Sequence, residues 1–429
     1  MRYMLKVAVV AALLLQLACS APGGLAPDRE GDYRDRAASR SDGDVRVSVS
    51  VLSAQESWQL YGEPLAIMAI QPVWIEVENR ENRAYWLMSP GVDPNFLPAS
   101  EAAEAFGIGP ASEQRTQRFR ALAFENPVPP GRTIAGFVLT HLDEGVKMVQ
   151  VDLVTGGHMK SFSFLAKVPG FLADYQARET FTAPIYADHE MQQLDEPEVL
   201  RRALEGLPCC VTNKDGDRNG DPLNLVVIGG VEDAFPALVR RGWRPTEATW
   251  IGSINKMITS ALTGERYRYA PVSPLYLYGR PQDLALQKAR DNIHQRNHLR
   301  LWLSPLRYRG KHVWAGQISR DIGSRLTIHS PYLTTHKIDP DVDEARIALA
   351  EDMAYSQALS ELGFVKGVGA ASKDNPRGNL TTDPYYTDGL RLVLAFERAP
   401  KSLTEIDFLQ WEKLSPAGAT WPPARSTPP

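Results

Sequence analysis

The fold is decided by the stretch from His298 to Arg346, which contains HLRLWLSP at 298–305, VWAGQISRD at 313–321 and THKIDPDVDEAR at 335–346. In the first segment leucines alternate with larger polar or aromatic residues, which indicates a strand with two different faces. His298, Arg300 and Trp302 share one of these faces. The second segment predicts another strand, over 313–319. The third predicts a long helix from Asp339 to Leu362, because Asp339-Pro340-Asp341 combines an N-cap, a proline and an acid.

The segments on either side extend this stretch into an α+β domain over residues 198–398. We expect a mainly antiparallel or mixed sheet that is covered by helices on one face. The remaining elements predicted here are helices Glu198–Glu205 and Pro281–His294, a helix capped by Asp233, and strands Leu223–Ile228, Leu275–Tyr278 and Leu390–Phe396. The strand from Leu223 is a continuous apolar run, which is typical of burial on both faces.

Residues 44–168 predict an all-β domain, a β-sandwich with a helical insertion. Short apolar segments are separated by turns rich in Asn, Gly and Pro, as in a sandwich. The predicted strands are Val45–Val51, Leu65–Ala69, Val73–Val77, Ala84–Met88, Thr133–Leu139, Val146–Leu153 and Ser161–Val168. Valine alternates with Arg or Ser in the first of them, which indicates a half-buried strand. The insertion covers 100–105 and 112–123, where helix-forming residues dominate.

The rest of the chain predicts connecting segments. A length of 429 residues suits two domains. Residues 169–197 are expected to connect them, and 20–43, which offer almost nothing to bury, form a disordered tether. Residues 399–429 are rich in proline and predict a loose tail.

The first nineteen residues resemble a signal peptide. Arg2 and Lys6 precede the apolar run Val7–Leu17, which is too short to span a bilayer. Cys19 follows Ala18 as in a bacterial lipobox, although Gln16 stands where an aliphatic residue is usual. We expect a lipoprotein anchored at Cys19. The alternatives are secretion with cleavage near Ala21 and a buried core helix.

Composition and charge limit the classes of partner that we expect for this protein. The formal charge is −4 and we find no basic stripe, so nucleic acid is not expected as a partner. No later stretch is long and apolar enough to predict a transmembrane helix. The expected partners are the membrane, through the lipid anchor, and an envelope protein or a small-molecule ligand. The expected location is the cell envelope, facing the periplasm, or alternatively the periplasm or medium after secretion. No cofactor is expected.

Two local motifs leave alternatives open. Cys209 and Cys210 are adjacent, and a disulfide between neighbours is rare, so two buried thiols are expected, with a redox role as the alternative. Residues 213–221 read NKDGDRNGD and match the first half of a calcium loop. Pro222 and Val226 then break the calcium pattern, which favours an Asx-rich turn instead.

A set of polar and aromatic residues forms the candidate site. Its members lie on the predicted strands and helix of the opening stretch and are His298, Arg300, Trp302, Asp321, His336, Asp343 and Arg346. They are interpreted as a structural hydrogen-bond network or as a ligand-binding surface. A third interpretation joins His298, His336 and Asp343 as an acid–base set or a metal site, but no ligand spacing such as H-E-x-x-H supports it and no metal is predicted.

The second domain resembles the LssY C-terminal domain family. The resemblance is carried by seven segments: GDPLNLVVIGG at 220–230, the helix to Gly242-Trp243, SPLYLYGR at 273–280, RNHLRLWLSP at 296–305, VWAGQISRDIG at 313–323, THKIDPDVDEAR at 335–346 and DGLRLVLAF at 388–396. The resemblance implies a bacterial envelope protein. Some family members join this domain to a membrane phosphatidic acid phosphatase, and the family name is linked to a type I secretion locus. This chain has neither the membrane helices nor the K-x-x-x-x-x-x-R-P and P-S-G-H motifs of that phosphatase, so its activity and catalytic residues are not carried over.

These observations favour an envelope lipoprotein whose two soluble domains bind a ligand or a partner. The alternative is an envelope hydrolase, phosphoesterase-like, that uses His298, His336 and Asp343. Whether the protein is an enzyme stays open at this point.

Overall fold

The computed structural model describes residues 32–107, 109–143, 146–169, 185–230, 232–245, 274–289, 296–326 and 334–414. The predicted signal segment with Cys19 lies outside these residues, as do residues 20–31 of the predicted tether and the end of the tail. Within the tether, Ala38–Asp42 is a strand that pairs with Val45–Val51, so the prediction of a disordered segment is wrong for these residues. From Ala38 onward the chain forms one compact unit. Strands outnumber helices in it, and several sheets are present, as in a mixed, β-rich α+β fold.

The N-terminal part contains two antiparallel sheets that share one core. Its strands are β1 Ala38–Asp42, β2 Val45–Val51, β3 Ile70–Asn79, β4 Trp86–Leu87, β5 Arg132–His141, β6 Val146–Thr155 and β7 His158–Lys167. One sheet has the order β1-β2-β3-β5 and the other β4-β6-β7. Valines of β2 and β3 pack against Val149, Val151 and Phe162 of the second sheet, which closes the core.

The helices of this part are α1 Ala54–Tyr61, α2 Ser89–Val92, α3 Ala99–Glu104 and α4 Ser112–Leu122. The last two occupy the predicted insertion. The predicted strand Leu65–Ala69 is wrong, because a 3-10 turn covers Leu65–Met68 and Ile67 is 80% exposed. Strand β2 is also less one-sided than expected, because Ser48 and Ser50 are buried like the valines.

The C-terminal part is built on a ten-stranded mixed sheet. Its main path follows the order β12-β15-β16-β17-β11-β22-β19-β23, and β18 and β8 pair with β17 and β16. The strands from β8 onward, in this sheet and in the two small ones, are β8 Gln192–Leu194, β9 Cys210–Thr212, β10 Asn219–Pro222, β11 Leu225–Ile228, β12 Arg244–Pro245, β13 Tyr276–Leu277, β14 Arg280–Pro281, β15 Leu284–Ala289, β16 Arg296–Tyr308, β17 Lys311–Leu326, β18 Thr334–Ile338, β19 Leu359–Lys366, β20 Arg377–Gly378, β21 Pro384–Tyr385, β22 Leu390–Phe396 and β23 Asp407–Phe408.

The large sheet is covered on both faces. Helices α6 Ala234–Arg240 and α7 Val342–Ala354 pack on one face, against residues such as Leu299, Leu301 and Leu392. Helix α5 Pro197–Glu205 packs on the other face, which is also covered by the small sheet β10-β9-β13-β14. The expectation of helices on one face alone is therefore wrong.

Three predicted elements need correction. The predicted helix Pro281–His294 is strand β15 over Leu284–Ala289, paired with β12 and β16, and 290–295 lie outside the described residues. Helix α7 begins after the N-cap Asp341, not Asp339, and ends at Ala354, because the chain then turns into strand β19. The predicted loose tail contributes β23, which pairs with β19, so the prediction is wrong for this part of it, and 415–429 lie outside the described residues.

Candidate functional site

A row of polar side chains lies on the face of the large sheet opposite to α6 and α7. The register of β15, β16 and β17 aligns Gln287 with His298, Arg300 with Gln317, and Arg296 with Asp321. Because residues two apart in a strand share a face, all six side chains lie on the face that carries Trp302. We call Gln287, Arg296, His298, Arg300, Gln317 and Asp321 the polar row.

The polar row is largely closed to solvent. Arg300 is half-buried, whereas Gln287, Arg296, His298, Gln317 and Asp321 are between 1% and 4% exposed. Buried polar groups destabilise a protein unless they have hydrogen-bond partners. The partners of these side chains therefore decide what the site can do.

His298 and Asp321 form the shortest contact of the row. Nε2 of His298 lies 2.7 Å from Oδ2 of Asp321, and both side chains are buried. A carboxylate can only accept here, so the histidine donates its Nε2 proton. The pair could orient a histidine for proton transfer, or could serve as a closed structural contact.

Two arginines of the row contact glutamines. Nη1 of Arg300 donates to Oε1 of Gln317 at 2.9 Å, and Nη1 of Arg296 donates to Oε1 of Gln287 at 3.2 Å. In each glutamine the Nε2 atom is buried and has no hydrogen-bond partner within the described ranges. Each amide therefore keeps a free donor inside the site.

Acidic residues on strands β10 and β17 influence Arg300. Burial lowers the pKa of Arg300, and the charges of Asp221 and Asp321 oppose that shift. Burial raises the pKa of Asp221, against the opposing charge of Arg300. Nδ2 of Asn379 donates to Oδ1 of Asp221 at 3.3 Å, so the loop from 379 to 383 closes over this end of the row.

Trp302 shares the face of the polar row but is packed in apolar surroundings. It is fully buried with Val211, Leu223, Leu277 and Ala315, where the small sheet covers the large one. It therefore packs the sheet against the small sheet at the end of the row next to Arg300. The alternation in the sequence correctly predicted the strand face of Trp302 but did not predict its apolar surroundings.

Asp343 and Arg346 lie elsewhere, on helix α7 at the opposite face of the sheet. Arg346 is 1% exposed and donates from Nη1 and Nη2 to the two carboxylate oxygens of Asp388, at 2.9 and 2.7 Å. Asp343 accepts from Oγ1 of Thr387 and the backbone N–H of Asp388. The structure does not bring these two residues to the polar row, because the helix lies on the other face of the sheet, where their partners Thr387 and Asp388, more than forty residues further along the chain, contact them.

His336 belongs to strand β18, where its backbone is in register with Ser324 of β17. Its side chain lies outside the described part of the structure. The grouping of His336 with His298 in one set therefore stays a prediction.

The two local motifs have clear outcomes. Cys209 and Cys210 form a disulfide at the start of β9, so the prediction of two buried thiols is wrong. In the segment 213–221, Asn213 donates to Oδ1 of Asp217 at 2.7 Å and accepts from the backbone N–H of Arg218. This is an Asx-type turn that leads into β10.

Sequence reasoning missed Gln287, Arg296 and Gln317. Extending the alternation of 298–302 back by two residues reaches Arg296, and the strand over 313–319 contains Gln317 opposite Arg300. Gln287 carried no signal, because its segment was assigned to a helix.

Two absences apply to the described part of the chain. No group of three or more His, Cys, Asp and Glu residues there could hold a metal ion. None of the helices described is both long and apolar enough to cross a membrane.

A β-rich α+β domain with a mixed sheet and a buried polar row is thus the class of protein that the C-terminal part defines. The family model of the LssY C-terminus matches residues 201–390, which confirms the resemblance seen in the sequence. The match includes every residue of the polar row. No curated protein matches the chain.

Proposed function

We propose that this protein is a bacterial envelope lipoprotein, related to LssY-type proteins, with two soluble domains and a ligand-binding module. The ligand binds at the polar row. The ligand is either a small molecule or a side chain that a partner protein inserts into this site. The observation that carries the proposal is the pair of buried amide donors of Gln287 and Gln317, which have no acceptor among the residues described.

Buried donors without partners are uncommon and costly, roughly 1–3 kcal/mol each. Two of them on one face of the sheet, beside two arginines, indicate a site that is complete only when another molecule supplies acceptors. Arg300 is the most exposed member of the row, since the other five side chains are more deeply buried.

The test is a thermal-shift and calorimetric screen of the purified protein with anionic, cationic and neutral small molecules. A ligand at one hundred times its Kd stabilises the folded state by about 2.7 kcal/mol, which is easily measured as a rise in Tm. We expect at least one class to raise the Tm in a saturable way. If no class does so, the ligand-binding proposal fails.

The proposed anchor rests on the basic residues, the apolar run Val7–Leu17 and the cysteine at 19. The substitution Cys19→Ser should move the protein from the membrane fraction to the soluble fraction. A wild-type protein that is already soluble, with a mature N-terminus near Pro22, would leave secretion as the correct alternative.

An envelope hydrolase is the second candidate, and the 2.7 Å contact between His298 and Asp321 favours it. A carboxylate that orients a histidine is a common arrangement for general acid–base catalysis. We would measure hydrolysis of bis(p-nitrophenyl) phosphate by the wild type and by His298→Asn. Turnover that depends on His298, with unchanged Tm, supports the hydrolase. Absence of turnover in the wild type argues for binding alone.

A further inference from the structure

The class of ligand follows from the hydrogen-bonding atoms that remain at the Arg300 end of the row, and this step rests on the proposed ligand-binding function. The orientation of the Gln317 amide is fixed by chemistry. Arg300 contacts its Oε1 at 2.9 Å, and a guanidinium has donors only, so the amide oxygen must face the arginine. The NH2 end is therefore the free end, and its Nε2 is buried without an acceptor in the described part of the chain.

Arg300 itself has a charge that is not balanced by direct contact. Its hydrogen-bond partner is the neutral Gln317, and no carboxylate of the described segments lies within 4.0 Å of it. Its Nε also lacks an acceptor there. A half-buried guanidinium in this state is stabilised strongly by any anion that reaches it, because the surroundings screen charge less than water does.

The acidic residues nearby are occupied by other partners. Asp321 contacts His298, and Asp221 is hydrogen-bonded by Asn379. Asp221 and Asp321 still act on Arg300 through space, and Asp383 acts on Asp221. None of them is an ion-pair partner of Arg300 among the residues described, so a negatively charged ligand would balance a charge that no side chain there balances by direct contact.

We infer that the ligand carries an oxyanion group, a phosphate or a carboxylate, which binds between the guanidinium of Arg300 and the NH2 of Gln317. Such a group offers several acceptor lone pairs, matches the planar donors of arginine and neutralises its charge. A neutral ligand could accept the same hydrogen bonds but would leave the charge of Arg300 unbalanced.

The full-length protein should be titrated with inorganic phosphate, acetate and the neutral sugar maltose, with ionic strength held constant by sodium chloride. Phosphate or acetate should raise the Tm in a saturable way, and the comparison of the two decides which oxyanion fits. The key variant is Gln317→Glu, which is nearly isosteric and places a carboxylate against Arg300. It should fold as well as the wild type and bind the oxyanion at least tenfold more weakly. The exposed substitution Gln410→Glu adds the same charge away from the site and should leave binding unchanged.

Arg300→Met is the second variant and should also bind the oxyanion more weakly. This variant tests the inference if Gln317→Glu does not fold. Oxyanion binding that survives in both variants would place the anion elsewhere and overturn the inference. Binding of maltose without either oxyanion would overturn the inference but leave the ligand-binding function standing. If neither these probes nor the broader screen raises the Tm, the oxyanion inference and the proposed ligand-binding function are both wrong.

Discussion

Arg244 donates a hydrogen bond from Nη2 to Oδ1 of Asp93 at 2.9 Å, and both side chains are buried. Arg244 lies on β12, in the predicted C-terminal domain, whereas Asp93 follows α2 in the predicted N-terminal domain. Asp93 also contacts His141 and lies 3.7 Å from Nζ of Lys147. A buried network of charges thus joins the two parts of the chain.

Removing one member of this ion pair should destabilise the protein strongly. Asp93→Asn leaves Arg244 and Lys147 less compensated in a buried site, and we expect a loss of about 3–5 kcal/mol in the free energy of unfolding. Urea unfolding measures it. Arg244→Met should cost a similar amount, and the double variant should lose less than the sum of the two.

Lys401→Met is the matched control, because Lys401 pairs with Glu397 at 3.5 Å in a more exposed position. We expect a change below about 1 kcal/mol there. An Asp93→Asn effect as small as this would mean that the buried network contributes little.

The composition change between Val168 and Glu198 predicts a site for limited proteolysis. Cleavage there should yield fragments that contain the predicted domains 44–168 and 198–398. At neutral pH the fragments should elute together in gel filtration, because the Asp93–Arg244 contact and its neighbours hold them. In Asp93→Asn they should separate more readily. Absence of a cut in this window would argue against the two-domain division.

The same network makes stability depend on pH. Burial alone would raise the pKa of Asp143, but the charges of Lys147 and His141 outweigh it and hold the pKa well below its ordinary value. Since the folded pKa is the lower one, this stabilisation is fully present above about pH 4 and is lost as the pH falls further. The free energy of unfolding should therefore drop in acid, and the drop should be smaller in Asp143→Asn. Equal slopes for both proteins would contradict the assignment.

The apolar runs that form central strands could be predicted from the sequence alone. Leu225–Ile228 lies within one such run, and Leu390–Phe396 has the predicted bounds. The strand over 284–289 could not be predicted from the sequence. Its residues LALQKA have high helix propensity, and they form a strand only because they pair with neighbouring strands on both edges. The same holds for Leu362, predicted as the last residue of the long helix, which lies inside β19. Its neighbour Gly363 is in the same strand, where a Cβ would come within 2.6 Å of Leu409 from the tail.

The sequence also predicted part of the candidate site. Alternation placed His298 and Arg300 on one strand face, and that face is the one that carries the polar row. The spacing of Asp343 and Arg346 correctly indicated a shared helix face, with 3.4 Å between them. Their further partner Asp388 lies forty-two residues beyond Arg346, and no local pattern indicates such a contact.

Arg346 should therefore behave as a structural residue. Arg346→Lys removes the two-point contact with Asp388 and should lower the free energy of unfolding by about 1.5–3 kcal/mol. The affinity for any ligand at the polar row should stay unchanged, because the helix lies on the other face of the sheet. Calorimetry alongside urea unfolding separates the two effects. Lost affinity with unchanged stability would place Arg346 in the binding site.

The segment around the Cys209–Cys210 disulfide should owe its position more to Arg391 than to the disulfide. Arg391 is fully buried, and burial lowers its pKa to about 10. Its guanidinium donates to the backbone oxygens of Leu204, Leu207 and Pro208, immediately before the cysteines.

Arg391→Met should lower the free energy of unfolding by at least about 3 kcal/mol, since each buried carbonyl left without a donor costs roughly 1–3 kcal/mol. Reduction of the disulfide should cost far less, near the low end of the range of about 0–5 kcal/mol, because adjacent residues close almost no loop. Urea unfolding of the wild type with and without reductant, beside the variant, measures both. Alkylation after denaturation confirms the redox state in each sample. If reductant destabilises the protein as much as Arg391→Met does, the disulfide rather than the arginine holds this segment in place.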